Sequence, residues 1–251
     1  MVPHQAHRDY RQPPPARKSM HARIVHDLGM RIAAGEFRPG DRLPGEAALL
    51  TEYDVSRPVL REAVRVLVAK GLVLSKQRAG AIVRPRNEWH LLDPDVLYWL
   101  IQTMPQAEFV ETLLTVRRVF EPAAAALAAR VASDESLRGI AEAYAGMEAA
   151  ATPEQLLEPD LAFHRRIAEA TNNDLLAYIG NMLSLALRES IKLSSKHPTT
   201  PALSLPRHKA ILTALLHHDP QAAHQASLLQ LKETREDITE ILEAEAGVDL
   251  R

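Results

Sequence analysis

The sequence predicts a mostly α-helical protein in two parts: a small basic unit of three helices with a two-stranded hairpin, then a larger acidic all-helical bundle. Aromatic residues make up only 4% of the chain while Ala and Leu abound, a composition that suits helices packed through aliphatic side chains. Beyond residue 94 apolar residues recur at helical spacing almost without interruption. Charge is divided unevenly, with 16 Lys+Arg against 8 Asp+Glu in residues 1–86 and 14 against 24 in residues 87–251. A basic segment joined to an acidic one is the asymmetry expected when one part meets a polyanion and the other does not.

The elements follow in order. Residues 1–19 contain Pro13-Pro14-Pro15, several Arg and His and no apolar periodicity, and read as a flexible arm. Ile24, Val25, Leu28 and Ile32 form the buried stripe of a first helix from about Met20 to Ala34, ended by Gly35. Arg38-Pro39-Gly40-Asp41 is a turn by composition. A short second helix spans about Gly45 to Tyr53, and Asp54-Val55 is a tight connection. Ser56 is a suitable N-cap and Pro58 falls in the first turn of a third helix, where its missing N–H costs nothing. Leu60, Val64, Leu67 and Val68 give that helix its apolar stripe, and Gly71 closes it. Leu72 to Leu74 and Ala81 to Val83 are β-like runs flanking Lys76, Gln77, Arg78 and Gly80, the pattern of a two-stranded wing. Pro85 to Pro94 reads as a polar linker. Helices are then expected over about 93–103, 106–131, 134–149, 154–171, 173–195, 203–218 and 220–246. The domains are accordingly the arm 1–19, the winged unit 20–86, a linker and connecting helix 87–105, and the bundle 106–251.

Composition excludes several functions. The chain has 251 residues, 46% hydrophobic and 25% charged, a globular balance long enough for two cores. It contains no cysteine, so disulfides, cysteine-ligated metals and cysteine nucleophiles are absent, and any metal must use His, Asp or Glu. No window approaches the ~18 apolar residues of a membrane helix, and the N-terminus lacks the apolar core of a signal peptide. A cytoplasmic location is the expectation.

Arg57, Arg61 and Arg65 recur every four residues on one side of a helix that follows a short helix and a tight turn, the layout of a helix-turn-helix reading element. The first residues of such a helix point at base edges. Arg57, Arg61 and Arg65 are therefore candidates for base or phosphate contact, with Ser56 and the first-turn amides for phosphate. Gln77 and Arg78 in the wing are candidates for the minor groove. The bland account of the arginine stripe is a solvated helix face.

These residues carry a resemblance. The segment LPGEAALLTEYDVSRPVLREAVRVLVAKGLV, residues 43–73, resembles the winged helix-turn-helix of the GntR family of bacterial transcription regulators. That family shows Leu-Pro-Ser-Glu, then Val-Ser-Arg, then Val-Arg-Glu-Ala. This chain has Leu43-Pro44, Glu46, Val55-Ser56-Arg57 and Leu60-Arg61-Glu62-Ala63. It departs at Ala47, where many members have a DNA-contacting Arg, and at Arg78, which replaces the first glycine of the wing's Gly-x-Gly.

In the second part, Asp160 and His164 stand at i, i+4 on one helix face, able to share a cation or a salt bridge. His208 sits on a later helix. Spacing alone leaves a structural pair and a metal site both open. Residues 106–245 resemble the helical FCD effector domain of the FadR-type branch, in which an Asp-x-x-x-His helix and two later histidines surround a divalent metal, commonly zinc or nickel. The resemblance implies Asp160, His164 and His208 as metal ligands, with Gln230 in place of the usual fourth ligand. It further implies an effector pocket drawing on Arg117, Asn173, Arg188 and Gln230, with Arg117 placed to clamp a ligand carboxylate bidentately. An Arg117–Glu121 surface pair is the alternative.

Arg86 to Trp99 is similar to the linker and first helix of members whose effectors are sugar acids, aldonates such as galactonate, while Trp89 and Trp99 also read as anchors that dock the two domains. The expectation is a homodimeric repressor that binds double-stranded operator DNA and is released by a small carboxylate effector. Two rivals from other classes are a metal-dependent hydrolase using Asp160, His164 and His208, which lacks an evident general base, and an architectural DNA-binding protein, which leaves the acidic bundle without a task.

Overall fold

A computed structural model of the chain describes residues 19–76, 80–195 and 200–246; the arm expected at 1–19 lies, apart from Ser19, outside the described residues, as do Gln77 and Arg78. The chain divides into two compact units, Met1–Pro105 and Gln106–Arg251. Among the described residues no helix is long and apolar enough to cross a membrane.

In the first unit, α1 (Met20–Ala33) buries Ile24, Val25, Leu28 and Ile32, the stripe that the sequence spacing demands. The short helix α2 (Glu46–Tyr53) ends at Asp54, whose φ of 49° turns the chain sharply into α3 (Arg57–Ala69). Helix α3 buries Leu60, Ala63 and Leu67. Val64 and Val68, expected in the same stripe, are only half-buried: they touch the edge of the core and also line the groove beside the hairpin. Gly71, at φ 77°, closes the helix, and a Cβ there would stand 2.7 Å from the Glu88 carbonyl oxygen.

Strands β1 (Val73–Lys76) and β2 (Gly80–Val83) pair antiparallel, Val73 opposite Val83. The Arg42 segment lies along β2 through an isolated bridge to Ile82, with the Leu43 amide donating to the Ala81 carbonyl over 2.9 Å. The stretch read as a polar linker has an apolar anchor. A single 3₁₀ turn at Arg86–Glu88 leads into Trp89, which is buried and donates its indole N–H to the Arg84 carbonyl over 2.9 Å.

Helix α4 (Pro94–Thr103) opens on Asp93, whose side chain accepts from the Asp95 and Val96 amides. It packs against α1 within this unit. Trp99 is fully buried and donates its indole N–H to His26 Nδ1 over 2.9 Å. Gly29 makes room for that ring, since a Cβ there would lie 2.5 Å from it. Lys70, the residue that ends α3, is buried, with Nζ 2.7 Å from Asp93 and 2.8 Å from Asp95. Both tryptophans, read as domain anchors, thus belong to the core of the first unit.

The second unit holds six helices among its described residues: α5 (Gln106–Val131), α6 (Asp134–Glu148), α7 (Pro153–Glu169), α8 (Asp174–Ser194), α9 (Thr200–Leu216) and α10 (Pro220–Ala246). Helix α5 is central and packs on α10, α7, α9 and α8, while α6 lies against α7 and α9. The starts follow side-chain capping: Ser133, Thr152 and Asn173 each accept from backbone amides in the first turn of α6, α7 and α8. Asp219 does the same for α10 through the Gln221 and Ala222 amides. Ala125, Ala128 and Ala129 of α5 leave room for Ile140, Met147, Phe163, Ile211 and Leu215 in the main core, consistent with close helix approach through small residues.

Replacing Lys70 by Ala leaves Asp95 and the half-buried Asp93 without their cation. Because breaking a buried pair by removing one partner is strongly destabilising, K70A should lower unfolding stability by about 3 kcal/mol in urea titration; a change below about 0.5 kcal/mol would show that water replaces the lysine.

Candidate functional site

The described part of the DNA-facing candidate set lies on α3. Ser56 takes the N-cap position with extended backbone, but its side chain makes no cap hydrogen bond, so the first-turn amides stay open to an external acceptor. The Arg57, Arg61 and Arg65 side chains are 70%, 67% and 81% exposed, in keeping with groups that meet a ligand rather than a core. Arg57 Nη1 is 3.1 Å from Glu46 and Arg61 Nε is 3.8 Å from the same carboxylate, while Arg65 pairs with Glu62 at 3.6 Å. An apolar groove of about 460 Å³ runs beside them, lined by Leu43, Val64, Val68 and Ala81 as well as Arg61 and Arg65.

In the bundle, α7 and α9 bring Asp160, His164 and His208 together, one ligand atom from each lying within 4.8 Å of the others. The two imidazole Nε2 atoms are 3.2 Å apart. Their orientation is set from behind. His208 Nδ1 is 2.8 Å from the Ser204 carbonyl and so carries the donated proton there, which turns Nε2 inward. His164 Nδ1 is 3.2 Å from Glu121 Oε2, which turns its Nε2 inward too. Imidazoles held by a carboxylate or carbonyl on the far nitrogen are the arrangement that directs a ligand lone pair to a metal. Asp160 Oδ1 lies 3.3 Å from His164 Nε2 and 3.6 Å from His208 Nε2, yet accepts no well-aligned hydrogen bond. A buried carboxylate oxygen without a hydrogen bond needs a compensating cation. The donor set therefore fits a divalent metal, and this cluster could hold one.

Arg117 is paired with Glu121, but away from the surface. It is 2% exposed, and its guanidinium bonds Glu121 at 2.5 Å and 3.3 Å. The pair is real, but it is buried and lines the cluster's cavity. Glu121 thus links Arg117 to His164. Burial alone would push the Glu121 carboxyl up, but Arg117 and His164 outweigh it and hold it at about 2. Burial opposes charge on His164, and Glu121 with Asp160 raises the imidazole to about 9. Asp160 is held well below the usual carboxylate range, against its own burial, by His208 and His164.

The cavity, about 20 Å³, is lined also by Ser190, Ser194, Ser204, Arg207, Gln230, Thr234 and Asp237. Gln230 donates its amide N–H to Thr234 Oγ1 over 3.3 Å, leaving Oε1 buried without a partner. Arg188 is buried but pairs with Glu158 at 2.7 Å and does not line the cavity. Asn173 is exposed, caps α8 and also lies off the lining. Glu121 and Arg207 were not singled out from the sequence as site residues. Arg207 is bonded to Glu233 at 2.6 Å and to Asp237 at 2.5 Å; only the i, i+4 spacing of Glu121 from Arg117 offered any signal.

Residues 20–83 match the family of bacterial regulatory proteins named gntR, and residues 112–233 match the FCD domain. The chain is 33% identical over 225 residues to the galactonate operon transcriptional repressor of Escherichia coli K12, covering 87% of this chain and 96% of that one. The chain belongs to the GntR family. The HTH-type transcriptional repressor NanR of Escherichia coli is 28% identical over 226 residues, 87% of this chain and 84% of its own. Among solved structures, that of Lar, which controls the Listeria monocytogenes agr system, superposes with a TM-score of 0.62 at 19% identity, covering 90% of this chain and 99% of that one; this likeness concerns the fold. The protein is a DNA-binding transcription regulator with an FCD domain, not an enzyme, and the hydrolase alternative falls away.

In metal-free protein the folded value of about 9 for His164 lies above its ordinary 6.5. Its contribution to stability is then full below pH 6.5 and is lost as pH rises through 9. Chelator-treated protein should lose on the order of 3 kcal/mol across that window in denaturant titration, and His164→Gln should flatten the profile. Divalent metal, which takes the lone pair in place of the proton, should flatten it as well.

Proposed function

We propose that this regulator is a repressor of a sugar-acid catabolic operon, acting in the cytoplasm and released by a small carboxylate effector, an aldonate such as galactonate. The observation that carries the reading is the bundle cavity, where the buried Arg117 guanidinium stands in one lining with the inward-facing Asp160, His164 and His208. A carboxylate is the ligand that both a guanidinium and a bound divalent metal recognise. Similarity to a galactonate operon repressor over most of both chains supports the aldonate class. Asp160, His164 and His208 would hold zinc or nickel, for which two imidazoles and a carboxylate are suitable ligands. When bound, the metal would supply a Lewis-acidic attachment point for the effector carboxylate, and the free Gln230 Oε1 would accept from an effector hydroxyl. Asn173 and Arg188, off the lining in this conformation, would join only if the pocket widened toward them.

The cavity of about 20 Å³ has room for about one water or ion but not for a six-carbon acid. Effector binding must therefore move the walls, and a ligand that favours the widened conformation shifts the population toward it. On the DNA side, Ser56, Arg57, Arg61 and Arg65, with Gln77 and Arg78 in the wing, would contact a half-site.

A two-fold operator calls for a homodimer, and α5 offers a face for it. Glu108, Thr112, Val116, Val119, Ala123 and Arg130 are all exposed, and their spacing places them on one stripe of the helix. Val119 is 76% exposed, the highest value among the described large hydrophobic residues. Two copies crossing antiparallel at Val119 would set each Glu108 opposite an Arg130, a charge pairing that a second copy of this chain satisfies.

The reading is tested by thermal unfolding with a panel of aldonates, with and without chelator. One aldonate should raise the midpoint, an effect removed by chelation and by His208→Ala; no shift with any aldonate would sink the effector class while leaving DNA binding intact. For the dimer, the cysteine-free chain permits a clean cross-link. Oxidised Val119→Cys should run as a covalent dimer on non-reducing gels, and a dimer in solution that never cross-links would place the interface elsewhere.

A further inference from the structure

The first residue of α2 places a carboxylate beside the exposed arginines of α3. Glu46 follows the Gly45 cap, and its side chain is 40% exposed. Its two oxygens face two different arginines of α3, Oε1 at 3.1 Å from Arg57 Nη1 and Oε2 at 3.8 Å from Arg61 Nε. A carboxylate at the start of a helix interacts favourably with the helix dipole, which explains an acid at this position but not the bridge to the neighbouring helix. Nor does stability explain it, because ion pairs this exposed contribute little. The charges nevertheless decide something. Three arginines on this face are accompanied by Glu46 and Glu62, so most of the positive charge that would attract phosphate is cancelled locally.

We propose that Glu46 is a specificity-determining residue of the DNA-reading helix, acting through Arg57 and Arg61. The Arg57 guanidinium, hydrogen-bonded to Glu46 through Nη1, has its remaining N–H donors biased toward one direction, while Arg61, 3.8 Å away, is drawn to the same carboxylate by charge alone. A biased donor direction favours bidentate bonding to the O6 and N7 of a guanine. An untethered arginine reaches any phosphate within its length, and phosphate contacts carry no sequence information. The Glu46 charge also repels the phosphate backbone. It thereby weakens sequence-independent binding more than binding at a site where these arginines find their bases. Glu46 thus raises the ratio of specific to non-specific affinity while lowering the gross affinity, the opposite of what a direct DNA contact does. The inference rests on the reading of Arg57 and Arg61 as DNA contacts.

The test uses the full-length chain and a duplex enriched from a random-sequence pool by the parent protein, with a scrambled duplex of the same composition as the reference. Dissociation constants are measured for both duplexes across a salt series for the parent and for Glu46→Gln and Glu46→Ala, each checked for an unchanged thermal midpoint. Both variants should bind the scrambled duplex several-fold more tightly. The enriched-to-scrambled affinity ratio should fall about tenfold, and the salt dependence on the scrambled duplex should steepen by about one released counterion. In an Arg57→Ala, Arg61→Ala background the effect of Glu46→Gln on the ratio should shrink toward nothing, the signature of action through those arginines. Equal changes on both duplexes, or an unaltered ratio, would overturn the proposal, because a purely structural Glu46 changes affinity without changing discrimination. A parent protein that enriches no sequence at all would instead overturn the assignment of the arginines on which it rests.

Discussion

The bundle is organised around a problem of buried charge. Arg117, Glu121, His164 and Asp160 are all largely removed from solvent, and an isolated charge in such a place is untenable. Each is made tolerable by the next: the guanidinium by Glu121, Glu121 by His164, and His164 by Asp160. The chain of contacts runs from α5 to α7, and His208 extends it to α9. These helices cannot slide relative to one another without separating charges whose mutual neutralisation is what permits their burial. The same constraint leaves one oxygen of Asp160 without an aligned hydrogen bond beside two imidazole nitrogens that meet at 3.2 Å, which makes the cluster suitable for a cation.

The reading head follows the reverse principle. Its charged groups that meet solvent, Arg57, Arg61 and Arg65, contribute little to holding the unit together, and the unit is secured from behind. Lys70 ties the end of α3 to the start of α4, Trp99 fills the space left by Gly29, and Trp89 plugs the turn between hairpin and helix. A buried ion pair is poor evidence for stability when compared with an apolar alternative. Here it fixes geometry, because two carboxylates must converge on one ammonium. Helix α4 is therefore part of the DNA-binding unit, although its sequence position just before the bundle suggested a connector.

Regulation in a protein of this kind requires that a ligand prefer one conformation over another. The cavity supplies a physical basis for such a preference, since it is too small for an organic acid and its walls are charged side chains with fixed partners. Entry of a carboxylate would redistribute those partners, Arg117 exchanging part of its bond to Glu121 for the ligand. Because Glu121 also orients His164, the change would be felt at the cation-binding cluster, and on the proposed reading ligand and metal would be coupled through one side chain.

Much of this was legible in the sequence because helices advertise themselves locally. The apolar spacing of Ile24, Leu28 and Ile32, the capping side chains of Ser133, Thr152 and Asn173, and the glycines at 35 and 71 act within a few residues, and the helix ends they imply agree with the structure to within about three residues. Asp160 and His164 were legible for the same reason, since i, i+4 spacing on a helix puts two side chains on one face wherever the helix goes. What tertiary structure alone decided is the identity of partners distant in the chain. That Arg117 is buried with its glutamate rather than exposed with it, that His208 turns Nε2 toward His164, that Arg207 joins the cavity, and that Lys70 lies inside the fold all depend on how helices pack. Asn173 shows the converse: its residue type suits a ligand contact as well as a helix cap, and the structure shows the cap at the start of α8. Local pattern determines which face of a helix is apolar, but a buried polar side chain is tolerated only where packing brings its complement, and that complement lies elsewhere in the sequence.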